Sequence, residues 1–154
     1  MADFKIIGAD HTGFTVPSVE RSLSFWHDTL GLPLAYNIVL DGDFAAAVTG
    51  VPEARIQVAY VTLPNGHGIE FLQYLSPHES LRQRFTPKSC DIGSVHIALK
   101  VMGLESFCDK AKDHGFVSLS PPQTIPEGAL AGTRVLYVRG PDGETVELME
   151  APTR

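Results

Sequence analysis

The chain of 154 residues lacks several features that would assign it to a special class of protein. It has only two cysteines, Cys90 and Cys108, far apart and outside any Cys-x-x-Cys pair, which excludes a disulfide framework and a zinc ribbon. No run approaches the roughly 20 apolar residues that a membrane-spanning helix needs. The first residues also lack the basic-then-apolar pattern of a signal peptide, so we expect a cytoplasmic protein.

The chain also lacks an excess of positive charge. Twelve Lys and Arg residues stand against eighteen Asp and Glu residues, for a net charge of -6. Nucleic-acid grooves and anionic membrane surfaces select for clustered Lys and Arg, so we expect neither nucleic acid nor membrane as a partner. With 44% hydrophobic residues, the length suits one compact core, and we expect a single domain over residues 1–154.

What the chain does contain is an internal repeat. Residues 58–70 and 135–147 are identical at six of thirteen positions, and each copy ends in a glutamate within an apolar run, Glu70 and Glu147. Near the start of each half, a histidine begins a strand-like segment that is followed by a helix-like segment. These histidines are His11 in the first half and His96 in the second. A self-match of this kind indicates a duplicated module.

The first half reads as a strand, a helix and three strands. The helix follows Pro17-Ser18 and ends at Gly31, because serine favours the N-cap and glycine the left-handed position after a helix. The hydrophobic periods predict these elements: strand 5–16, helix 19–30, and strands 34–40, 56–63 and 67–75, with the second strand closed by a turn at 41–43.

The second half repeats this order. Its predicted elements are strand 95–101, helix 104–114, a short strand near 116–119, and strands 134–139 and 145–150, with a mobile loop at 120–132. Module one covers about 4–75, a connector about 76–92 and module two about 93–150. The predicted fold class is α+β, with two β-α-β-β-β modules in a pseudo-twofold arrangement.

Strand alternation places the repeated polar residues on one face. In the last strand, Glu147 opposes the apolar Val146 and Leu148. The same alternation puts three further residues opposite the apolar side chains of their strands: His11, Glu70 and His96. We therefore predict a curved mixed sheet, with helices outside, around a cavity in which two imidazoles and two carboxylates bind one divalent metal ion. Such a mixed set suits Zn, Ni, Co, Mn or Fe(II).

These residues carry a resemblance to a known family. The paired modules, the two His-initiated strands, the segment Val19–Leu32 and the two Pro-x-Gly-x-x-(Ile/Val)-Glu endings resemble the vicinal-oxygen-chelate superfamily. That superfamily includes glyoxalase I, methylmalonyl-CoA epimerase, extradiol dioxygenases, and fosfomycin- and bleomycin-resistance proteins. The resemblance implies metal ligands at His11, Glu70, His96 and Glu147, and their order matches glyoxalase I of the bacterial type.

The resemblance implies proton transfer next to a carbonyl. A metal ion would stabilise the enolate as a Lewis acid, while a carboxylate, Glu147 or Glu70, acts as the base. We favour Glu147. Two alternatives stay open: a non-haem Fe(II) ring-cleaving dioxygenase that uses His11, His96 and Glu147, and a metal-free protein that binds or sequesters a small molecule such as a drug.

The chain departs from the glutathione-dependent pattern at two places. It has Thr15 where those members carry arginine, and no lysine within 127–133 where they carry one. Together with Lys100 on the inner face, this indicates a different small-molecule substrate, one with a carboxylate or an acyl thioester. We expect a homodimer, for which an edge strand at Phe4–Ile7 could supply pairing, with each site formed within one chain or exchanged between two.

Overall fold

A computed structural model describes residues 4–152. The expectation about a signal peptide concerns the first residues, and residues 1–3 lie outside the described part of the chain. The chain divides into two compact units at the Arg82–Gln83 bond, within the predicted connector 76–92. Among residues 4–152, no helix has the length and apolar character required to cross a membrane. That both units form a single domain stays a prediction.

The first unit follows the order predicted for its strands and adds one helix. Its elements are β1 (His11–Thr15), α1 (Val19–Leu23) continued by a π-helical segment (Ser24–Thr29), β2 (Leu34–Leu40), α2 (Gly42–Thr49), β3 (Arg55–Thr62), β4 (Gly68–Ser76) and a 3-10 turn (Glu79–Leu81).

The first helix begins and ends at the residues that the sequence indicated. The Ser18 hydroxyl accepts a hydrogen bond from the Arg21 backbone N–H at 3.2 Å, and Gly31 adopts a φ of 73° after the last turn. The π-helical segment, closed by Leu30 N–H to the Phe25 carbonyl at 2.9 Å, widens the helix. Phe25 and the neighbouring Trp26 are consequently both buried.

The sheet of the first unit has the strand order β1-β4-β3-β2, with β1 parallel to β4 and the other pairs antiparallel. One face packs against α1 and its π-helical extension, where Trp26 meets Phe71 with ring centroids 6.0 Å apart. The other face, which carries Glu70, is covered at its far end by α2 through a cluster that includes Ala45 and Val58. The prediction that all helices lie away from the candidate face is therefore wrong for α2.

The second unit repeats the topology. Its elements are β5 (Ile97–Lys100), α3 (Leu104–Asp113), β6 (Val117–Ser118), β7 (Gln123–Thr124), β8 (Arg134–Arg139) and β9 (Thr145–Glu150). The sheet order is β5-β9-β8-β6, with β5 parallel to β9, and β7 adds to β8. One face of this sheet is buried, and it carries Leu99, Leu136 and Leu148 on adjacent strands.

The predicted fold class is confirmed as α+β with two mixed sheets of matching strand order. Three local predictions were wrong. Residues 4–10 form no strand, so the expected edge strand at Phe4–Ile7 is absent from the described structure. The turn predicted at 41–43 begins a helix, because Asp41 precedes an alanine-rich segment of good helix formers. The loop predicted at 120–132 contains β7, which pairs with Arg134 and Val135.

Candidate active site

In the first unit, the parallel pairing of β1 and β4 brings His11 and Glu70 together. The register places Gly13 opposite Glu70, and His11 lies two residues earlier on the same face. The His11 Nε2 atom is 3.4 Å from Glu70 Oε2. A Cβ at Gly13 would lie 3.3 Å from Leu72 Cδ1 and 3.9 Å from Glu70 Oε2, so the tight neighbour of this position is Leu72 and not the carboxylate.

In the second unit, the same arrangement recurs with His96 and Glu147. The register places the small Ala98 opposite Glu147, and His96 again lies two residues earlier, directly before β5 begins. The His96 Nε2 atom is 3.2 Å from Glu147 Oε2. Each unit thus presents one imidazole nitrogen and one carboxylate oxygen side by side, at equivalent positions of equivalent sheets.

The spacing of these donors fits two ligands of a common ion. Ligands about 2.1 Å from a metal lie roughly 3.0 Å apart at a right angle and roughly 3.4 Å apart at a tetrahedral angle. The observed donor separations of 3.4 Å and 3.2 Å fall in this range. Within residues 4–152, no group of three or more His, Cys, Asp or Glu side chains is gathered closely enough to bind a metal. The structure therefore pairs His11 with Glu70 in the first unit and His96 with Glu147 in the second.

An aspartate orients the first imidazole. Asp10 Oδ1 lies 2.8 Å from His11 Nδ1, and this hydrogen bond is the main reason why the pKa of Asp10 is lowered. A proton on Nδ1 leaves the Nε2 lone pair facing Glu70. The equivalent position in the second unit is the apolar Val95, so the sequence repeat alone did not reveal this partner.

Two tyrosines at equivalent positions pack against the two histidines. Tyr60 is paired with Glu70 across β3 and β4, and Tyr137 with Glu147 across β8 and β9. The Tyr60 ring lies edge-on to His11 at a centroid distance of 5.8 Å, and Tyr137 lies 5.0 Å from His96. Tyr60 and Tyr137 occupy equivalent positions of the sequence repeat, and the histidines that they contact are the candidate ligands.

Tyr36 also contacts the candidate residues of the first unit, although the sequence repeat did not indicate it. Its hydroxyl donates a hydrogen bond to Glu70 Oε1 at 3.3 Å, and its ring stacks on Tyr60 at 5.1 Å. Burial and then the negative charge of Glu70 raise the pKa of Tyr36. The alternation of β2 could have placed Tyr36 on one face of the sheet, but it could not have shown which neighbour it meets.

His67 is half-buried beside β1. Its Nε2 atom lies 2.9 Å from the Thr12 hydroxyl oxygen, and its backbone N–H donates to the Asn65 side chain. These contacts join the β3–β4 turn to the first strand on the face opposite His11. The role of His67 is therefore to support the strand that carries the candidate ligand.

The chain is similar to several known proteins. A family model described as Glyoxalase/Bleomycin resistance protein/Dioxygenase superfamily matches residues 8–148. The chain is 28% identical over 150 residues to a 2-epi-5-epi-valiolone epimerase of Actinomyces. This alignment covers 95% of this chain and 80% of the epimerase. It is 27% identical over 146 residues to a probable lactoylglutathione lyase of Synechocystis. This alignment covers 94% of this chain and 95% of the lyase.

A solved structure shows the same fold. The glyoxalase family protein APC24694 from Bacillus cereus superposes with a TM-score of 0.83 at 23% identity, over 99% of each chain. At this identity the likeness bears on the fold alone. The resemblance inferred from the repeated endings is confirmed by the family match.

Proposed function

Because the chain belongs to the Glyoxalase/Bleomycin resistance protein/Dioxygenase superfamily, we propose that it is a metal-dependent epimerase, isomerase or lyase that moves a proton on a carbon next to a carbonyl. The observation that carries the proposal is the pair of equivalent His–Glu contacts, at 3.4 Å and 3.2 Å. Relatives named as an epimerase and as a lyase support enzyme chemistry of this superfamily.

We propose that one divalent ion, which is Zn, Ni, Co, Mn or Fe(II), is bound by four side chains. These are His11, Glu70, His96 and Glu147. When bound, the ion supplies Lewis-acid stabilisation of the negative charge that develops on the substrate's carbonyl oxygen. Asp10 keeps the His11 Nε2 lone pair available, and the small residues Gly13 and Ala98 lie opposite the two carboxylates. A homodimer remains our expectation for the assembly.

Glu147 is the proposed base. Its carboxylate takes the proton as the substrate's C–H bond breaks, and that electron pair moves into the enolate. The proton then returns to carbon from the same carboxylate or from Glu70, which restores the C–H bond with retained or inverted configuration. No net oxidation occurs, so this chemistry needs no second substrate.

Substrates other than glutathione adducts suit this chain best. Thr15 and the segment 127–133 lack the cations expected of glutathione-binding members. Lys100 is exposed on the same face of its sheet as Glu147, where it can meet a carboxylate or another anionic group. The name of the Actinomyces relative adds ketones of the valiolone type to the compounds worth testing.

The four-ligand enzyme is better supported than the two alternatives. A dioxygenase that uses His11, His96 and Glu147 would leave Glu70 incidental, yet Glu70 contacts His11 as Glu147 contacts His96. A metal-free binding protein would have no need for two matched pairs of metal-ligating groups. Oxygen uptake with catechols tests the first alternative, and metal content after reconstitution tests the second.

Hydrogen exchange is the most direct test of the proposed reaction. Protein stripped with a chelator and reloaded with each metal is incubated in D2O with valiolone-type ketones, acyl-CoA epimers and 2-oxoaldehyde–thiol adducts, and proton NMR follows loss of the C–H signal. We expect metal-dependent exchange in one class. Stoichiometric metal without exchange in any class, or exchange that is independent of metal, would refute the proposal.

A further inference from the structure

The two units match in the histidine, the glutamate and the tyrosine that pairs with that glutamate, and they differ on the next strand of the sheet. On β2, Tyr36 pairs with Tyr60 and stacks on its ring. In the second unit the corresponding residue is Leu119, whose backbone N–H donates to the Tyr137 carbonyl at 2.8 Å just after β6. A phenol hydroxyl therefore stands in the first half where the second half has an aliphatic side chain.

This difference leaves the two carboxylates in unequal surroundings. Both oxygens of Glu70 are engaged, because Oε1 accepts the Tyr36 hydroxyl at 3.3 Å while Oε2 faces His11 Nε2. Glu147 has Oε2 beside His96 Nε2, and Leu119 offers it no hydrogen-bond donor. A carboxylate whose second oxygen accepts a hydrogen bond is held in one orientation.

We propose that Tyr36 is a positioning residue that makes Glu70 the constrained, one-oxygen ligand and leaves Glu147 as the carboxylate free to move a proton. The phenol fixes the carboxylate plane through Oε1, so that Oε2 alone lies beside His11 Nε2. The stack on Tyr60, at 5.1 Å with an interplanar angle of 29°, in turn holds the phenol in place. This inference rests on the proposed metal-dependent function.

The test is metal affinity, measured by competition with a chromophoric chelator using Ni²⁺ and Zn²⁺. Removing a hydrogen-bonded partner of a metal ligand typically weakens affinity about 10- to 100-fold, and we expect Tyr36→Phe to weaken it about 10-fold. Tyr36 is partly exposed, so this variant keeps its fold. With metal at saturation, the kcat of Tyr36→Phe is compared with that of Glu147→Gln, which separates a role beside the metal ligand from a role beside the base.

Two further variants separate the hydrogen bond from the ring. Tyr74→Phe removes a hydroxyl on the same strand as Glu70, from a ring that packs on the α2 cluster, and we expect unchanged affinity. Tyr36→Leu, which copies the second half, is expected to lose as much affinity as Tyr36→Phe. If Tyr36→Phe binds metal as the wild type does and only Tyr36→Leu is weakened, ring packing is responsible and the inference is wrong.

The outcomes also separate this inference from the proposed function. Wild-type protein that binds metal and catalyses exchange, with equal affinity in Tyr36→Phe, overturns the role of Tyr36 alone. Wild-type protein that binds no metal overturns both. A Tyr36→Phe variant whose kcat at saturating metal falls as far as that of Glu147→Gln would show that Tyr36 serves the base rather than the ligand, which also overturns the assignment.

Discussion

Gly68 is the position at which the smallest substitution should disturb the site most. It opens β4, and the ring of Tyr60 lies directly over it. A Cβ at Gly68 would lie 2.6 Å from Tyr60 Cε1 and still closer to Cζ and the hydroxyl oxygen, whereas ordinary van der Waals contact is 3.4–4 Å. In Gly68→Ala the ring must therefore retreat by roughly 1 Å or more.

The retreat has a calculable cost. Tyr60 would give up its edge-on contact with His11 and its stack on Tyr36, and each aromatic pair contributes about 0.5–1.5 kcal/mol. Alanine also restricts the unfolded chain, which offsets about 0.4–1 kcal/mol. We expect a net loss of at most about 2.6 kcal/mol in the free energy of unfolding. Because Tyr60 and Tyr36 orient both ligands of the first half, metal affinity should fall about 10-fold.

The matched control is Gly8→Ala, since nothing lies within 4 Å of a Cβ built at Gly8. Urea unfolding and chelator competition are measured for both variants. A double-mutant cycle with Tyr60→Ala tests the cause, because the penalty of Gly68→Ala should vanish once the ring is gone. If Gly68→Ala and Gly8→Ala behave alike, or if the penalty persists without the ring, the reasoning is refuted.

Three further predictions concern carboxylates. Glu147→Gln should abolish hydrogen exchange while the circular dichroism spectrum stays native, and substitution of the exposed Glu20 by glutamine is the control. If Glu147→Gln exchanges hydrogen at the wild-type rate, Glu147 is not the base. Glu150 accepts the Gly103 and Leu104 N–H groups at the start of α3 and pairs with Arg134, so Glu150→Ala should lower the free energy of unfolding by about 1–3 kcal/mol, and an unchanged urea midpoint would contradict this. The hydrogen bond from Arg134 lowers the pKa of Glu105, so its contribution to stability is present above the ordinary value of 4.5 and is lost as pH falls through the lowered pKa. Glu105→Gln should therefore show a shallower loss of stability on acidification below that value, and urea midpoints that decline in parallel would refute this.

Most strands could be predicted from sequence because their signals are local. The bounds predicted for β2, β8 and β9 agree with the structure, since each run of β-branched and aromatic residues is closed by a glycine- or proline-containing turn or by a polar residue. The α2 helix was missed because Asp41 and Gly42 are strong turn formers. Burial of Ala45 against Val58 stabilises that helix, and such packing is invisible to a local pattern.

The sequence likewise indicated some of the candidate site residues and not others. Alternation and the repeat identified Glu70 and Glu147 as polar positions in apolar strands, and His11 and His96 as their counterparts. Asp10 and Tyr36 have no equivalents in the second half, so the repeat could not indicate them. Tyr36 meets Glu70 only because β3 lies between β2 and β4 in the sheet, in a register that aligns Tyr36 with Tyr60 and Tyr60 with Glu70.

By itself, the sequence determined that this protein is a duplicated α+β module with one histidine and one glutamate per half on a common strand face, because side-chain periodicity and turn chemistry are properties of neighbouring residues. Only the tertiary structure decided that each imidazole nitrogen lies within 3.4 Å of its carboxylate, and that a phenol restrains one carboxylate and not the other. Those contacts join residues that are distant in sequence, and they depend on strand order and register, which the packing of the whole sheet establishes.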